Sequence, residues 1–385
     1  MPGDVIDRTE VIGLLSELVR IPSVNPRMGD GSGEEKIALY LVDRIRSLGL
    51  TPTITEVQPG RPNVLVTMPG QPGGPHILFE AHTDTVSPSH GQVEPFSPRM
   101  VGDRLYGRGS CDTKASIAAA LLALASVLPV PERRATVSLA FTMGEELAHE
   151  GVAHLMASGF RADAAVVGEP TGLDVVAAHK GVVRWRMTVL GRAAHSSNPD
   201  KGCNAILKMA AVIRLLEEKL IPQFQQRSHP LLGHPTLSVG QIKGGLQVNV
   251  VPDRCTIDVD RRLLPGETWV GVRRELEVLL GSLRASDPDL QVEIEEPYQS
   301  VVSMVTPPDA SIVKIAQEAV RRIHGQRPVR GVAFGTDAAE LSARGIPCVV
   351  LGPGDIAQAH TSDEYVEIQQ VVKAAAIYRE IMLNF

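Results

Sequence analysis

Short apolar stretches with strand character recur at residues 51–56, 63–68, 76–81, 135–142 and 164–168, and helix-periodic segments lie among them. Val11, Leu14, Leu15, Leu18 and Val19 mark a helix over 10–21, stopped by Pro22. Ile37, Leu41, Ile45 and Leu48 mark a second over 34–48, closed by Gly49. Residues 112–128 read as a buried helix. Strands alternating with helices bury their apolar faces by layering, so the pattern predicts an α/β domain with a mixed sheet. Near Gly181 the texture changes. Residues 182–190 alternate as a half-exposed strand, followed by helix 204–216, strands 236–242 and 254–262, helix 269–283 and a further strand at 290–295. These make a four-stranded α+β unit of ferredoxin-like type. After Pro297 the first texture returns, with helix 311–324, strand 347–351 and helix 366–383. The expected organisation is a layered domain formed by 1–180 and 298–385, with 181–297 inserted into it.

A chain of 385 residues is long enough for two such cores. The net charge of -6 and an aromatic content of 4% argue against a nucleic-acid partner. Cys111, Cys203, Cys255 and Cys348 form no C-x-x-C pair, as expected of a reduced, cytoplasmic protein. The first five residues lack the basic and apolar regions of a signal peptide. The longest apolar run, 115–130, falls short of the roughly 20 residues that span a bilayer, so no membrane partner is expected.

Chemistry-bearing residues gather where the apolar runs end. Gly144-Glu145-Glu146 follows the run 135–140. Adjacent side chains on an extended backbone point opposite ways, so one glutamate can coordinate a metal while the other faces a substrate and moves protons. The same pair also suits the start of a helix. His82-Thr83-Asp84 follows the strand 77–81. There the histidine can ligate a metal while Asp84 hydrogen-bonds its other ring nitrogen, or both can sit in a polar turn. Asp112 opens a helix after Gly107-Arg108-Gly109, as a ligand or as an acidic cap. Glu169, fixed by Pro170, and His360, after a further apolar strand, are a ligand pair or ordinary loop residues. Together they give two histidines and several carboxylates near the C-terminal ends of strands of one α/β sheet, where such sheets place their ligands. Mixed nitrogen and oxygen donors suit zinc, with cobalt or manganese as substitutes. A carboxylate can bridge two ions roughly 3.5–4 Å apart.

Taken in order, His82-Thr83-Asp84, Gly107-Arg108-Gly109 through Asp112, Gly144-Glu145-Glu146, Gly168-Glu169-Pro170-Thr171 and Ala359-His360 resemble the metal motifs of one family. It is the family of zinc aminoacylases, acetylornithine deacetylases, succinyl-diaminopimelate desuccinylases and glutamate carboxypeptidases. The resemblance implies two divalent metal ions per chain. His82 and Glu169 would hold one, Glu146 and His360 the other, and Asp112 would bridge, with Glu145 as general base. It also implies that the insert is a lid through which two copies dimerise. Within the insert, Gly191-Arg192-Ala193-Ala194-His195 resembles the family's oxyanion-stabilising histidine motif, often supplied across the dimer. Asn249, in Asn249-Val250-Val251-Pro252, matches a substrate contact, and Arg262, in Asp260-Arg261-Arg262-Leu263-Leu264-Pro265-Gly266, matches the group that grips a substrate carboxylate. Arg261 stands beside it as a rival guanidinium. The string from Leu351 to Tyr365 most resembles acetylornithine deacetylases. The implied substrate is a small N-acyl amino acid, N-acetylornithine first. The alternatives are a desuccinylase, a broader aminoacylase, a carboxypeptidase, or a metal-free binding protein that kept the fold.

Overall fold

The structure is a computed structural model that describes residues 6–29, 31–89, 91–130 and 133–385. The opening residues, on which the reading of the N-terminus rests, lie outside that set. The chain divides into two units, Met1–Ala178 with Met304–Gly331 and Thr336–Phe385, and His179–Ser303 with Val332–Gly335.

Among the described residues, the larger unit is built on a nine-stranded mixed sheet. Its centre runs Thr136–Thr142, His76–His82, Ala164–Val167, Cys348–Val350, all mutually parallel. Arg61–Met68 and then Thr53–Gln58 extend one side antiparallel. The central strands are buried on both faces, which explains their continuous apolar runs rather than alternation. The helix Lys114–Val127, rich in alanine and leucine, is buried almost all round. It packs between the strand His76–His82 and the helices Arg8–Arg20 and Ile368–Asn384. Small alanine side chains let those neighbours approach closely.

The register sets the site. His82 pairs with Thr142, and Glu80 with Val167. The carboxyl ends of the parallel strands are thus level, and the segments that follow them open on one edge.

The smaller unit has strands Thr236–Gly244, Arg254–Leu263, Gly181–Leu190 and Gln291–Ile294 side by side in that order, all antiparallel. With helices Ala205–Leu215 and Trp269–Ser286 this is the β-α-β-β-α-β order of a ferredoxin-like unit. Val183, Trp185, Met187 and Val189 alternate inward against those helices. Arg184 and Arg186 alternate outward and pair across the strand with Asp260 and Asp258. No helix among the described residues is long and apolar enough to cross a membrane.

Candidate functional site

His82, Asp112, Glu146, Glu169 and His360 converge at the carboxyl edge of the large sheet. His82 Nε2 lies 3.0 Å from Asp112 Oδ1 and 3.8 Å from Glu169 Oε1. His360 Nε2 lies 3.3 Å from Asp112 Oδ2 and 3.0 Å from Glu146 Oε2. Asp112 therefore turns one oxygen toward each histidine. Two groups of potential metal ligands result, His82–Asp112–Glu169 and Asp112–Glu146–His360, with ligand atoms in each within 4.8 Å of one another. A third such group is Glu145–His149–Asp337.

The Glu145–Glu146 pair corrects the reading of its local structure. Neither an extended strand nor a helix start carries it. The strand ends at Thr142, Gly144 takes φ 81°, and both acids lie in a turn before the helix Glu150–Ala157. The positive φ is open to glycine without cost and reverses the chain over the sheet edge. The two side chains still diverge: Glu146 toward His360, Glu145 toward His149, 3.7 Å away.

Asp84 holds that turn in place. Its Oδ1 accepts from the backbone N–H groups of Gly144 and Glu145, both at 3.0 Å. Its Oδ2 accepts from Glu146 N at 3.2 Å and from Asn25 Nδ2 at 2.8 Å. His82 Nδ1 lies 3.0 Å from the main-chain carbonyl of Asp84 and 3.4 Å from its carboxylate. The carbonyl is thus the nearer partner of the ring, and the carboxylate is chiefly an anchor for the turn.

A second anchor joins the segments carrying Asp112 and His360. Glu364 accepts from Arg108 Nη1 at 2.6 Å and from the backbone N–H groups of Gly109, Cys111 and Asp112, each at 3.0 Å. Arg108 Nη2 donates to the Thr361 carbonyl at 3.1 Å. Both members of the ion pair are about 1% exposed. Breaking such a pair by removing one partner costs roughly 3–5 kcal/mol, since the other charge stays buried.

The electrostatics are those of crowded anions. Burial pushes Glu145 up to about 8, and burial with the nearby Asp112 pushes Glu146 up to about 7. Burial and Asp112 likewise raise Glu169. Asp112 is held well below the usual carboxylate range: burial opposes its charge, and His360 and His82 outweigh it. His360 is pushed up to about 10 by Asp112 and Glu146. His82 is raised too, against burial, by Asp112 and Asp84.

The remaining expected residues lie in the smaller unit. His195 is exposed on a loop bridged to Val250, its Nδ1 2.8 Å from Ser197 Oγ. The exposed Asn249 accepts from Ser196 N through its carbonyl. Strand alternation separates the two arginines. Arg261 is fully buried, paired with Glu275 and Glu267 and stacked over Phe224. Arg262 faces the other way, bonded to Asp260 and 27% exposed.

His149, Asp337, Glu364 and Asn25 were missed by sequence reasoning. Only His149 carried a signal, four residues after Glu145 just before a helix.

Residues 78–384 match the model of Peptidase family M20/M25/M40. An acetylornithine deacetylase from Myxococcus xanthus is 32% identical over 80% of each chain. Another from Photorhabdus laumondii subsp. laumondii is 30% identical over 97% of each. Among solved structures, a tripeptidase from Staphylococcus aureus superposes with a TM-score of 0.82 at 23% identity, covering 99% of this chain and 98% of that one. A Bacillus subtilis protein described as a dinuclear metal binding peptidase from M20 family superposes with a TM-score of 0.73 at 17% identity, covering 98% and 97%. The family match spans most of the chain, and the chain belongs to Peptidase family M20/M25/M40.

Proposed function

We propose that this member of a family of amide-bond hydrolases deacylates N-acyl amino acids, with N-acetylornithine as the first substrate and a pair of divalent ions, preferably zinc, as cofactor. The observation that carries the proposal is Asp112, with one carboxylate oxygen toward each of two histidines. The donor set fits divalent cations. It is mixed nitrogen and carboxylate oxygen, and two of its acids, Glu146 and Glu169, are driven toward protonation when no cation balances them. His82 and Glu169 would hold one ion, Glu146 and His360 the other, and Asp112 both. When bound, the ions acidify a water and polarise the acyl carbonyl. Glu145 takes a proton from a water as the water oxygen bonds to the acyl carbon, and returns it to the departing amine nitrogen as the C–N bond breaks, leaving the free acid and the amine. Arg262, oriented by Asp260 through Nε and Nη2, binds the substrate carboxylate through the N–H groups that Asp260 leaves open. Asn249 contacts the substrate, and His195 donates to the developing oxyanion. The relatives named acetylornithine deacetylase and the string from Leu351 to Tyr365 support the choice of acyl amino acid.

Loading the ions should release protons. His82 and His360 carry protons in the metal-free chain and must lose them to ligate. Metal affinity therefore rises with pH through neutrality up to the His360 value of about 10. At pH 7 we expect at least two protons released per chain on full loading, because protons held by the raised Glu146 and Glu169 must leave along with those of the histidines. Calorimetry in buffers of different ionisation heat measures this number, and a value near zero would contradict the ligand assignment.

His195 and Arg262 bear on subunit organisation. Cys255 pairs with Gly244, beside the loop of Asn249, whereas Arg262 pairs with Thr236. Cys255 and Arg262 are about 23 Å apart along that strand at roughly 3.3 Å per residue. One copy of the smaller unit therefore holds His195 and Asn249 far from Arg262. A homodimer, in which a second copy supplies His195 and Asn249, reconciles all three with one substrate. Mixing inactive His195→Ala and Glu145→Gln chains by unfolding and reassembly should then restore about a quarter of wild-type activity, because half the random dimers carry one intact site. Additivity of two dead preparations would exclude the shared site.

The four cysteines are free thiols, which supports a cytoplasmic location. The deciding experiment for the reaction is a panel of N-acetyl, N-succinyl and N-formyl amino acids alongside dipeptides, read by amine release. Fastest turnover of N-acetylornithine supports the proposal. Preference for dipeptides or succinyl substrates replaces it with another activity of the same chemistry.

A further inference from the structure

Beneath Glu145 lies a chain of buried polar groups that the mechanism above does not use. His149 Nδ1 is 2.6 Å from Asp337 Oδ1 and 3.7 Å from Glu145 Oε1. Asp337 Oδ2 accepts from the Thr142 hydroxyl at 3.1 Å, and that hydroxyl lies 2.6 Å from Glu80 Oε1. The side chains of His149 and Asp337 are 7% and 1% exposed, so water does not compete for them. His149 adopts φ 57°, in the left-handed region that a non-glycine residue enters at a cost. The backbone there is tied by the N–H groups of Ala148 and His149, both donating to the Gly144 carbonyl. The fold thus spends conformational energy to bring one imidazole nitrogen, Nδ1, within reach of both Glu145 and a buried aspartate.

Glu145 needs such a neighbour. It has three side-chain torsions and sits in a turn. Asp84 fixes its backbone N–H but does not touch its carboxylate. Among the described residues, its carboxylate has one ion-pair partner, His149. We infer that His149, aligned by Asp337, is a positioning residue that fixes the Glu145 carboxylate for proton transfer. The inference rests on the proposed role of Glu145 as base. The arrangement follows a general logic in which a catalytic base is oriented by a second group and that group by a third. Burial opposes charge on His149, yet Asp337 and Glu145 push its pKa up to about 9, so the protonated ring is favoured beside a carboxylate. Its attraction acts along one direction and narrows the orientations of Glu145.

The test is a double-mutant cycle with metal-loaded enzyme and the fastest substrate of the acyl panel. His149→Asn keeps a residue that tolerates the left-handed backbone and can still bond Asp337. We expect kcat to fall roughly 10- to 100-fold, the cost of misplacing a reacting group by about an ångström, with KM nearly unchanged. Metal content and the absorption spectrum of the cobalt-substituted enzyme should not move, because His149 touches neither ligand group. In a Glu145→Gln background the same substitution should add almost nothing, since the group it positions is gone. Asp337→Asn should repeat the pattern, and it decides the matter if His149→Asn does not fold. Three results overturn the inference: an unchanged kcat, an equal loss in the Glu145→Gln background, or a shifted cobalt spectrum. An active Glu145→Gln enzyme instead overturns the parent assignment of the base, and the two failures are told apart by that single variant.

Discussion

Glutamine at position 145 should lower kcat by a factor of about 100 to 10,000 while both metals stay bound. The amide is nearly isosteric with the carboxylate but cannot accept and return a proton. The backbone N–H of residue 145 keeps its bond to Asp84, so the turn and the neighbouring Glu146 should stay in place. Glu145 Oε1 faces His149 rather than either histidine of the two ligand groups, which is why its replacement should spare the metals. Turnover of the preferred acyl substrate together with metal analysis of the same preparation measures both halves of this expectation. Turnover within a few-fold of wild type removes Glu145 from the mechanism. Loss of metal together with turnover would mean that residue 145 is a ligand after all.

The second large effect belongs to Asp112. Asp112→Ala removes the one side chain that belongs to both ligand groups. It leaves His82 facing Glu169 at 3.8 Å and His360 facing Glu146 at 3.0 Å, two incomplete pairs with nothing to hold them at bridging distance. We expect metal content to drop from about two ions per chain to below one, and activity to fall more than about 1,000-fold, since both roles of a two-ion site fail together. The Asp112 N–H still donates to Glu364 in the variant, so the segment should keep its path. Removing a ligand of one ion alone, as in Glu169→Ala, should cost less metal. Equal metal content in Asp112→Ala and wild type would show that the carboxylate does not bridge.

The parts of this site legible in the sequence are those fixed by strand ends. His82 and Glu169 follow apolar strands directly, and parallel pairing brings strand ends together whatever the loops do. Helix periodicity was equally readable: residues 311–324 form a helix with the bounds the pattern predicts. The strand Val176–His179 and the helix Ala338–Ala343 were not read. Both are short, and neither shows enough turns or alternations to stand out from loop sequence. The turn carrying Glu145 and Glu146 was misread because the outcome depends on Gly144 and on three bonds from Asp84, sixty residues away. Glu364 and Asp337 were invisible for a related reason. A carboxylate that accepts from distant N–H groups looks, in one dimension, like any surface acid. Arg261 and Arg262 show the opposite case: Cys255, Ile257, Val259 and Leu263 share a face with Arg261, so the period of two along Arg254–Leu263 already marks Arg261 as the inward guanidinium, a signal the sequence reading left unused.

Glu169 and His360 are separated by 191 positions, with the whole smaller unit synthesised between them. At roughly 5–20 residues per second, a ribosome needs about 10–40 seconds to cover that gap. Throughout it, the nascent polypeptide exposes His82, Asp112 and Glu169 without the histidine and the Glu364 clamp that complete the neighbouring position. Both proposed positions depend on this late segment: Glu364 holds the backbone of Asp112, and the strand Cys348–Val350 pairs with the strand that leads to Glu169, so the pocket takes its shape only after translation has passed these residues.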